Sequence, residues 1–295
     1  MSTREREHAL AVRRAALYTH RVPEATANIV RALVASAQRH GVELLLNEDE
    51  ATKHKLGSEA VTISEPGDDG DKPDLCIVLG GDGTTLRTMR AQAGSGVPVF
   101  SVNCGRIGFL ATVDRAEAEA GLERALTGQF DVIRLPALLL GAGADQQFAI
   151  NEVSFQRGAH TNTAYISFSL AGEEVGRAPC DGLIASTPTG STAYNLSVGG
   201  PILAWDLKGY VVSMVAPHAL NIRSVVAAPE DVLRVVNEGG DVVSIVIDGM
   251  PAGELESGGS REVRFYPDAV SLAQLPGSNF YGRFRDKLRL LTGGS

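Results

Sequence analysis

The sequence predicts an α/β protein: an N-terminal open α/β domain of Rossmann-like type, then a β-rich, sandwich-like domain, with a C-terminal helical tail returning to the first domain. Three observations carry this. Short apolar runs alternate with a helical pattern up to the region of Asn103. After Leu110 the pattern becomes short strand-like runs cut by turn residues every ten or so positions. Finally, Phe280, Phe284, Leu288 and Leu291 share one helical face. The domains are placed at residues 1–113 together with the tail 277–295, and at residues 114–276.

Residues 1–13 are read as a lead-in without function, and Ala15–His20 as a first strand. From Pro23 to His40, Ala27, Ile29, Val30, Leu33, Val34 and Ala37 recur at helical spacing, and Gly41 stands where a helix stops. Val42–Leu46 is a second strand; the polar stretch Asn47–Lys72 is mostly loop with room for one short helix. Asp74–Leu79 is a nearly continuous apolar run, as expected of a strand buried on both faces of a parallel sheet. A helix to about Ala93 and a strand at Val97–Asn103 complete a βαβ pattern. Ala116–Thr127 is a further helix. Strands then follow at Val132–Leu140, Gln147–Gln156, Ala164–Leu170, Val211–Val215, Val232–Val236 and Val242–Ile247.

The chain has 295 residues, enough for two cores, and a net charge of −8, which argues against a general nucleic-acid surface. It leaves a nucleotide substrate open, because a phosphate site needs only local amides, a few cations and often a metal ion. Apolar stretches stop short of a membrane span, the N-terminus lacks a secretory apolar core, and Cys76, Cys104 and Cys180 are not spaced as metal ligands. A cytoplasmic protein with no membrane or nucleic-acid partner is expected.

Three segments carry chemistry. Gly80-Gly81-Asp82-Gly83-Thr84-Thr85 follows a buried strand and opens a helix. Glycines leave room for a phosphate to meet backbone amides at the positive helix end, and Arg87 and Arg90 could add charge. The segment matches neither a Walker A loop nor the G-x-G-x-x-G fingerprint. Asp82 is its anomaly: a carboxylate among phosphate donors is unfavourable unless it binds a metal or takes a proton, although an ordinary turn also uses Asp and Gly here. Asn151-Glu152 interrupts an apolar strand. The pair forms either a structural hydrogen-bond network or a reader of adenine or ribose, its carboxylate holding a hydroxyl or metal. The third segment, Asp181 to Pro201, holds the small and hydroxyl-rich run Ser186–Thr192 and then Tyr194. It reads either as a Ser/Thr-rich surface loop or as a place where backbone and hydroxyls meet a ligand, with Tyr194 stacking on a base or packing as core.

Taken with Asn103-Cys-Gly-Arg-Ile-Gly-Phe-Leu110, and with Pro217-His218-Ala-Leu220 and Arg223, these segments in this order resemble the NAD kinase family from about Asp74 to Leu291. GGDGT alone is shared with diacylglycerol and sphingosine kinases; the NE pair with the TPTGSTAY block is far more specific. The resemblance implies transfer of a phosphoryl group from ATP, another nucleoside triphosphate or polyphosphate to the 2′-hydroxyl of the adenosine ribose of NAD. Asp82 would be the general base, or a carboxylate organising the metal. Gly80, Gly81 and Gly83, with Thr84, would cradle donor phosphates, Arg87 would lie close to NAD or its product, and Asn103 would be a further binding residue. Asn151 and Glu152 would bind the adenosine part of NAD, and Asp181 the nicotinamide side. Thr189, Ser191, Thr192, Ala193, Tyr194, Asn195, Leu196 and Ser197 would line the NAD pocket, partly across a subunit interface of a homodimer or homotetramer, and His218 would sit near the dinucleotide. Mg²⁺ or another divalent cation would be held mainly by the ATP phosphates, with Asp82 as a further ligand.

The chain departs from the family pattern at Met250, where Asp-Gly-Gln is common. It departs also at Pro179, a basic position in some members for which Arg177 is a substitute, and at Thr85, commonly apolar. Phosphoryl transfer to a hydroxyl also needs water kept away, which a cleft between the two domains can provide. A lipid kinase and a catalytically silent dinucleotide sensor are the competing classes; the first need not carry NE or TPTGSTAY, and the second would lack Asp82.

Overall fold

The computed structural model describes residues 11–285 apart from residues 59, 64–71, 106–107, 142, 159–162 and 220. Expectations for the lead-in before residue 11, for Arg106 and Ile107, for Leu220, and for Leu288 and Leu291 lie outside the described residues. The chain forms two compact units, Met1–Arg134 with Val270–Ser295, and Leu135–Ala269.

The first unit is a parallel sheet in the order Thr62–Ile63, Glu43–Leu46, Arg14–Thr19, Leu75–Gly80, Pro98–Asn103, with residues 271–272 paired parallel beyond the last. Arg14–Thr19 and Leu75–Gly80 are neighbours, though the chain visits two other strands between them, so the order reverses there. In such sheets ligands bind outside the carboxyl ends of strands at that reversal, and Gly80 stands at one of those ends. Leu75–Gly80 and Pro98–Asn103 are buried along their whole length, as their apolar composition requires. The expected first helix is a 3₁₀ turn, Pro23–Ala25, followed by Ala27–His40. It ends at Gly41 with φ +65°, a conformation glycine adopts without steric cost. The short helix is Glu48–His54, capped by the Asn47 side chain.

The helix Ala118–Leu126 lies in this unit, so the division falls at residue 134 rather than at the expected 113. Leu122, Ala125 and Leu126 belong to the same core as Leu33 and Ala37. Glu123 also accepts Ser36 Oγ at 2.5 Å and pairs with the Arg39 guanidinium and the His40 ring. The last strand likewise returns at Val270, before the expected 277, because Ser271 and Leu272 join the parallel sheet.

The second unit is β-rich. One sheet runs Val225–Ala227, Tyr210–Val215, Gly182–Ser186, Glu152–Arg157, Val243–Ile247, Met250–Leu255, all antiparallel. A second antiparallel set joins Glu173–Cys180, Ala164–Leu170, Leu233–Asn237 and the start of Ser260–Gln274. Ile166, Phe168, Val235 and Val263 from the second set share one core with Phe155, Leu183, Val212 and Ile245 from the first, which makes the expected sandwich. Glu173–Cys180, Met250–Leu255 and Ser260–Gln274 have no counterpart in the sequence reading. The first of these is an outermost strand, a place where Pro179 is tolerated.

The expected strand Gln147–Gln156 is two strands. Gln147–Ala149 pairs with Leu138–Leu140, and Glu152–Arg157 enters the six-stranded sheet. The chain changes sheets at Ile150–Asn151.

Candidate functional site

In the first unit, Gly80 ends its strand where a β-carbon would lie 2.7 Å from Thr84 Oγ1, so only glycine fits. Gly81 caps the helix Asp82–Ala91, and its carbonyl accepts the amides of Thr84 and Thr85. Thr85 Oγ1 bonds Ser101 Oγ at 2.7 Å, which fastens the helix to the neighbouring strand. This departure from an apolar residue is therefore a buried polar staple. β-carbons at Gly81 and Gly83 would meet no atom within 4 Å, so the two glycines leave an open face at the positive helix end.

Asp82 is the first helical residue. Its Oδ2 accepts the Phe109 amide at 3.0 Å and its Oδ1 the Leu110 amide at 3.2 Å. A carboxylate oxygen has two lone pairs, so a bond from an amide does not by itself exclude a hydroxyl or a metal ion as a further partner. Asn103 donates to Asp114 Oδ1 at 3.2 Å and accepts the Gly105 amide at 2.9 Å, bracing the chain at Gly105. Arg87 is exposed, about 140° round the helix from Asp82.

Arg283, which the sequence reading passed over, supports the same segment. From the helical residues 280–285 it donates to the carbonyls of Ala111 and Thr112, to Gln274 Oε1 and to Ser278 Oγ. Burial pulls its guanidinium down to about 10, against the pull of Asp114 and Asp82, which favour the charged form. The tail thus does return to the first unit. The signal for Arg283 was weak, since a single Arg near a C-terminus resembles any solvated charge.

In the second unit, Asn151 and Glu152 sit at the change of sheets, and every backbone group around them is held. Asp248 Oδ1 accepts the amides of Asn151 at 2.8 Å and Glu152 at 3.1 Å, and its Oδ2 that of Ile150 at 3.0 Å. Thr187 Oγ1 donates to Ile150 O at 2.7 Å, and the Thr187 amide to Asn151 O at 2.9 Å. Gly190 is pressed against them: a β-carbon there would lie 2.1 Å from Asn151 O.

Glu152 as a residue is 8 % exposed, and burial, with Asp248 nearby, raises its carboxyl from 4.5 to about 7 despite the Tyr194 amide that it accepts. Its Oε2 is buried without a hydrogen-bond partner, as is Thr189 Oγ1. Folding therefore favours the protonated form. The cost of ionising Glu152 is absent below pH 4.5, grows as pH rises and is complete above about 7, where it reaches about 3 kcal/mol. Glu152→Gln is accordingly expected to melt several degrees above the parent at pH 8 and no higher at pH 4. Equal melting shifts at both pH values in thermal denaturation of the ligand-free protein would refute this.

Ser186–Thr192 is buried throughout, not a surface loop, and most of its hydroxyls serve the backbone. Ser191 Oγ donates to Pro188 O at 2.6 Å and accepts the Leu203 amide at 2.9 Å; Thr192 Oγ1 donates to Thr189 O at 3.2 Å. Asn195 is fully buried, bonded to Pro201 O at 3.0 Å and Ser213 Oγ at 2.8 Å. Ala193, Tyr194 and Leu196 are half-buried and Ser197 exposed, so the accessible edge is Ala193–Ser197, resting on a self-satisfied base.

Asp181 pairs with Arg157 at 2.9 Å. The basic partner is thus not Arg177, which pairs with Glu174 at 2.8 Å and Glu238 at 3.5 Å. His218 is exposed, its amide tied to Pro179 O at 2.8 Å. Among the described residues no cluster of three or more His, Cys, Asp or Glu could hold a metal ion, and no helix is long and apolar enough to cross a membrane.

Two family models match: the ATP-NAD kinase N-terminal domain over residues 13–130 and the ATP-NAD kinase C-terminal domain over residues 150–275. The chain is 37 % identical over 221 residues to a NAD kinase of Rhodopirellula baltica, covering 73 % of this chain and 71 % of that one. It is 32 % identical over 276 residues to a NAD kinase of Thermoanaerobacter pseudethanolicus, covering 90 % and 93 %. Its fold matches a yeast NADH kinase complexed with NADH (TM-score 0.83, 20 % identity, 97 % of this chain and 89 % of that one). It also matches an NAD kinase from Archaeoglobus fulgidus in complex with ATP (TM-score 0.74, 24 % identity, 94 % and 98 %).

Proposed function

Because this chain belongs to the ATP-NAD kinase family, we propose that its NAD kinase activity works through Asp82 at the reacting hydroxyl and Asn151–Glu152 on the adenosine of NAD. The activity is phosphorylation of NAD with ATP as donor. The bond formed joins the ribose 2′-oxygen to the γ-phosphorus, the bond broken joins that phosphorus to the β,γ-bridging oxygen, and ADP leaves. The 2′-hydroxyl proton passes to the Asp82 carboxylate, since a ribose hydroxyl is a poor nucleophile at neutral pH.

The observation that carries the reading is the placement of Asp82. Two amides hold its carboxylate on the first residue of a helix, at a mouth whose flanking glycines present no side chain. That mouth suits the donor phosphates, with Gly81, Gly83 and the adjoining amides around them. A divalent cation, Mg²⁺ or a relative, would be held mainly by those phosphates, with the Asp82 carboxylate as a further ligand. It would neutralise charge developing on the transferred group. On the acceptor side, the unpartnered Glu152 Oε2 and Thr189 Oγ1 suit ribose hydroxyls, which can donate to the one and accept from or donate to the other. Asp181, His218 and the edge Ala193–Ser197 complete the NAD side. Assembly as a homodimer or homotetramer, and a cytoplasmic location, belong to the same reading. The three cysteines are free thiols, with Cys76 and Cys180 pushed up by burial to about 12 and about 11.

A crossed pair of variants tests the division of labour. At Gly83, alanine meets open space and is the better helix former, so Gly83→Ala should gain up to about 1 kcal/mol of stability. Its methyl should nevertheless raise KM for ATP about fivefold or more, with KM for NAD little changed. Asn151→Ala should do the reverse, raising KM for NAD. If both variants moved the same KM, the assignment of donor and acceptor sides would fail.

A further inference from the structure

The Asp248-Gly249 turn does more than reverse the chain. Asp248 and Gly249 have φ of +48° and +78°, and Ile247 pairs with Met250 across them, a two-residue hairpin for which Asp-Gly is a favoured sequence. A turn needs nothing of the Asp carboxylate beyond local hydrogen bonding. Here the carboxylate instead reaches 96 to 98 positions back along the chain, to three successive amides, Ile150, Asn151 and Glu152. The Asp248 amide in turn donates to Glu152 O at 3.1 Å. Three successive N–H groups converging on one point form a nest that binds anions, and Asp248 supplies the anion internally.

We propose that Asp248 is a positioning residue for NAD: its carboxylate fixes the Asn151–Glu152 backbone at the sheet change, and so sets where the two side chains meet the adenosine. This rests on the reading that Asn151 and Glu152 bind that part of NAD. Ile150 and Asn151 leave one sheet and Glu152 enters another, so no continuous ladder holds their amides in register. The three bonds to Asp248 replace it on the N–H side, as Thr187 does on the carbonyl side. The arrangement also brings a like charge to Glu152. Among the groups acting on that carboxyl, Asp248 opposes ionisation and the Tyr194 amide favours it. The position matters because the family's usual third turn residue is replaced by Met250, which is 54 % exposed. The anchoring function resides in the Asp, which this chain retains.

The test uses the full chain with ATP and Mg²⁺, measuring KM for NAD, KM for ATP and kcat from pH 5.5 to 9. Asp248→Asn keeps the shape but offers one acceptor oxygen instead of two, so at least one of the three amides loses its partner. Loss of one such bond corresponds to about a tenfold rise in KM for NAD, with KM for ATP unchanged. The pH at which KM for NAD changes should also move down, because Glu152 ionises more readily without its like-charged neighbour. Gly249→Ala strains the same turn but keeps the carboxylate; it should lower the melting temperature while leaving KM for NAD as in the parent. Thr187→Val removes the bond to Ile150 O from the other side and should raise KM for NAD as Asp248→Asn does. A folded Asp248→Asn protein with the parent's KM for NAD and pH profile would overturn the proposal. So would equal rises in KM for NAD in Asp248→Asn and Gly249→Ala. If instead Asn151→Ala left KM for NAD unchanged, the adenosine assignment itself would fall, and the two failures are thereby distinguished.

Discussion

Asp82→Asn should lower kcat by about 10²–10⁴ while KM for NAD stays within about threefold of the parent. The side chain keeps its shape, but an amide cannot take the hydroxyl proton. The variant also tests a purely structural role. Asp82 accepts from Phe109 and Leu110 and stands in the first turn of its helix, where a negative charge is worth about 0.3–1 kcal/mol. Asparagine can accept only one of those amides, so melting should fall modestly in any case. A folded variant with lowered melting and the parent's kcat would reduce Asp82 to a brace for the Phe109–Leu110 segment. Arg283, gripping the next two carbonyls, Ala111 and Thr112, would then belong to the same brace.

The second large effect is structural. Gly190→Ala should cost more than about 4 kcal/mol and leave the protein poorly folded, because a β-carbon would sit 2.1, 2.4 and 2.6 Å from O, C and Cα of Asn151. All three are backbone atoms already held by Asp248, Ser186 and Thr187, so they cannot withdraw. The contrast with Gly83→Ala is the informative part. Two glycines from motifs of equally small residues are expected to respond in opposite directions, one closing an open face and the other colliding with backbone. Soluble, fully folded Gly190→Ala with the parent's melting temperature would show that the contact between the Thr187–Gly190 turn and Asn151 is looser than described.

Much of the first unit was legible because its strands are uniformly apolar and its helices end at recognisable punctuation. Leu75–Gly80 running into Gly81-Asp82 is the clearest case, and Gly41 with φ +65° is another. The second unit was less legible. Glu173–Cys180 carries three charges, a glycine and a proline on an outermost strand, where neither alternation nor burial leaves a pattern. Ser260–Gln274 changes from a half-exposed beginning to a buried end, which blurs any single period. The Asp181–Pro201 segment was recognisable as unusual, but its hydroxyl content suggested ligand donors, whereas most of those hydroxyls satisfy backbone in a buried turn. Long-range partners were the least visible. Asp248 looks like a turn residue, and its bonds to Ile150, Asn151 and Glu152 become apparent only when the two segments lie side by side. Arg157 at Asp181 was hidden in the same way, while the nearer Arg177 is committed to Glu174 and Glu238.

The most direct measurement incubates the purified full chain with NAD, ATP and Mg²⁺ and follows NADP with an NADP-specific dehydrogenase, alongside ADP release. NADP and ADP should appear in equal amounts and depend on both substrates, and Asp82→Asn should remove nearly all of the turnover. Folded protein that yields no NADP, or that releases ADP without it, would contradict the assignment of NAD as the phosphoryl acceptor.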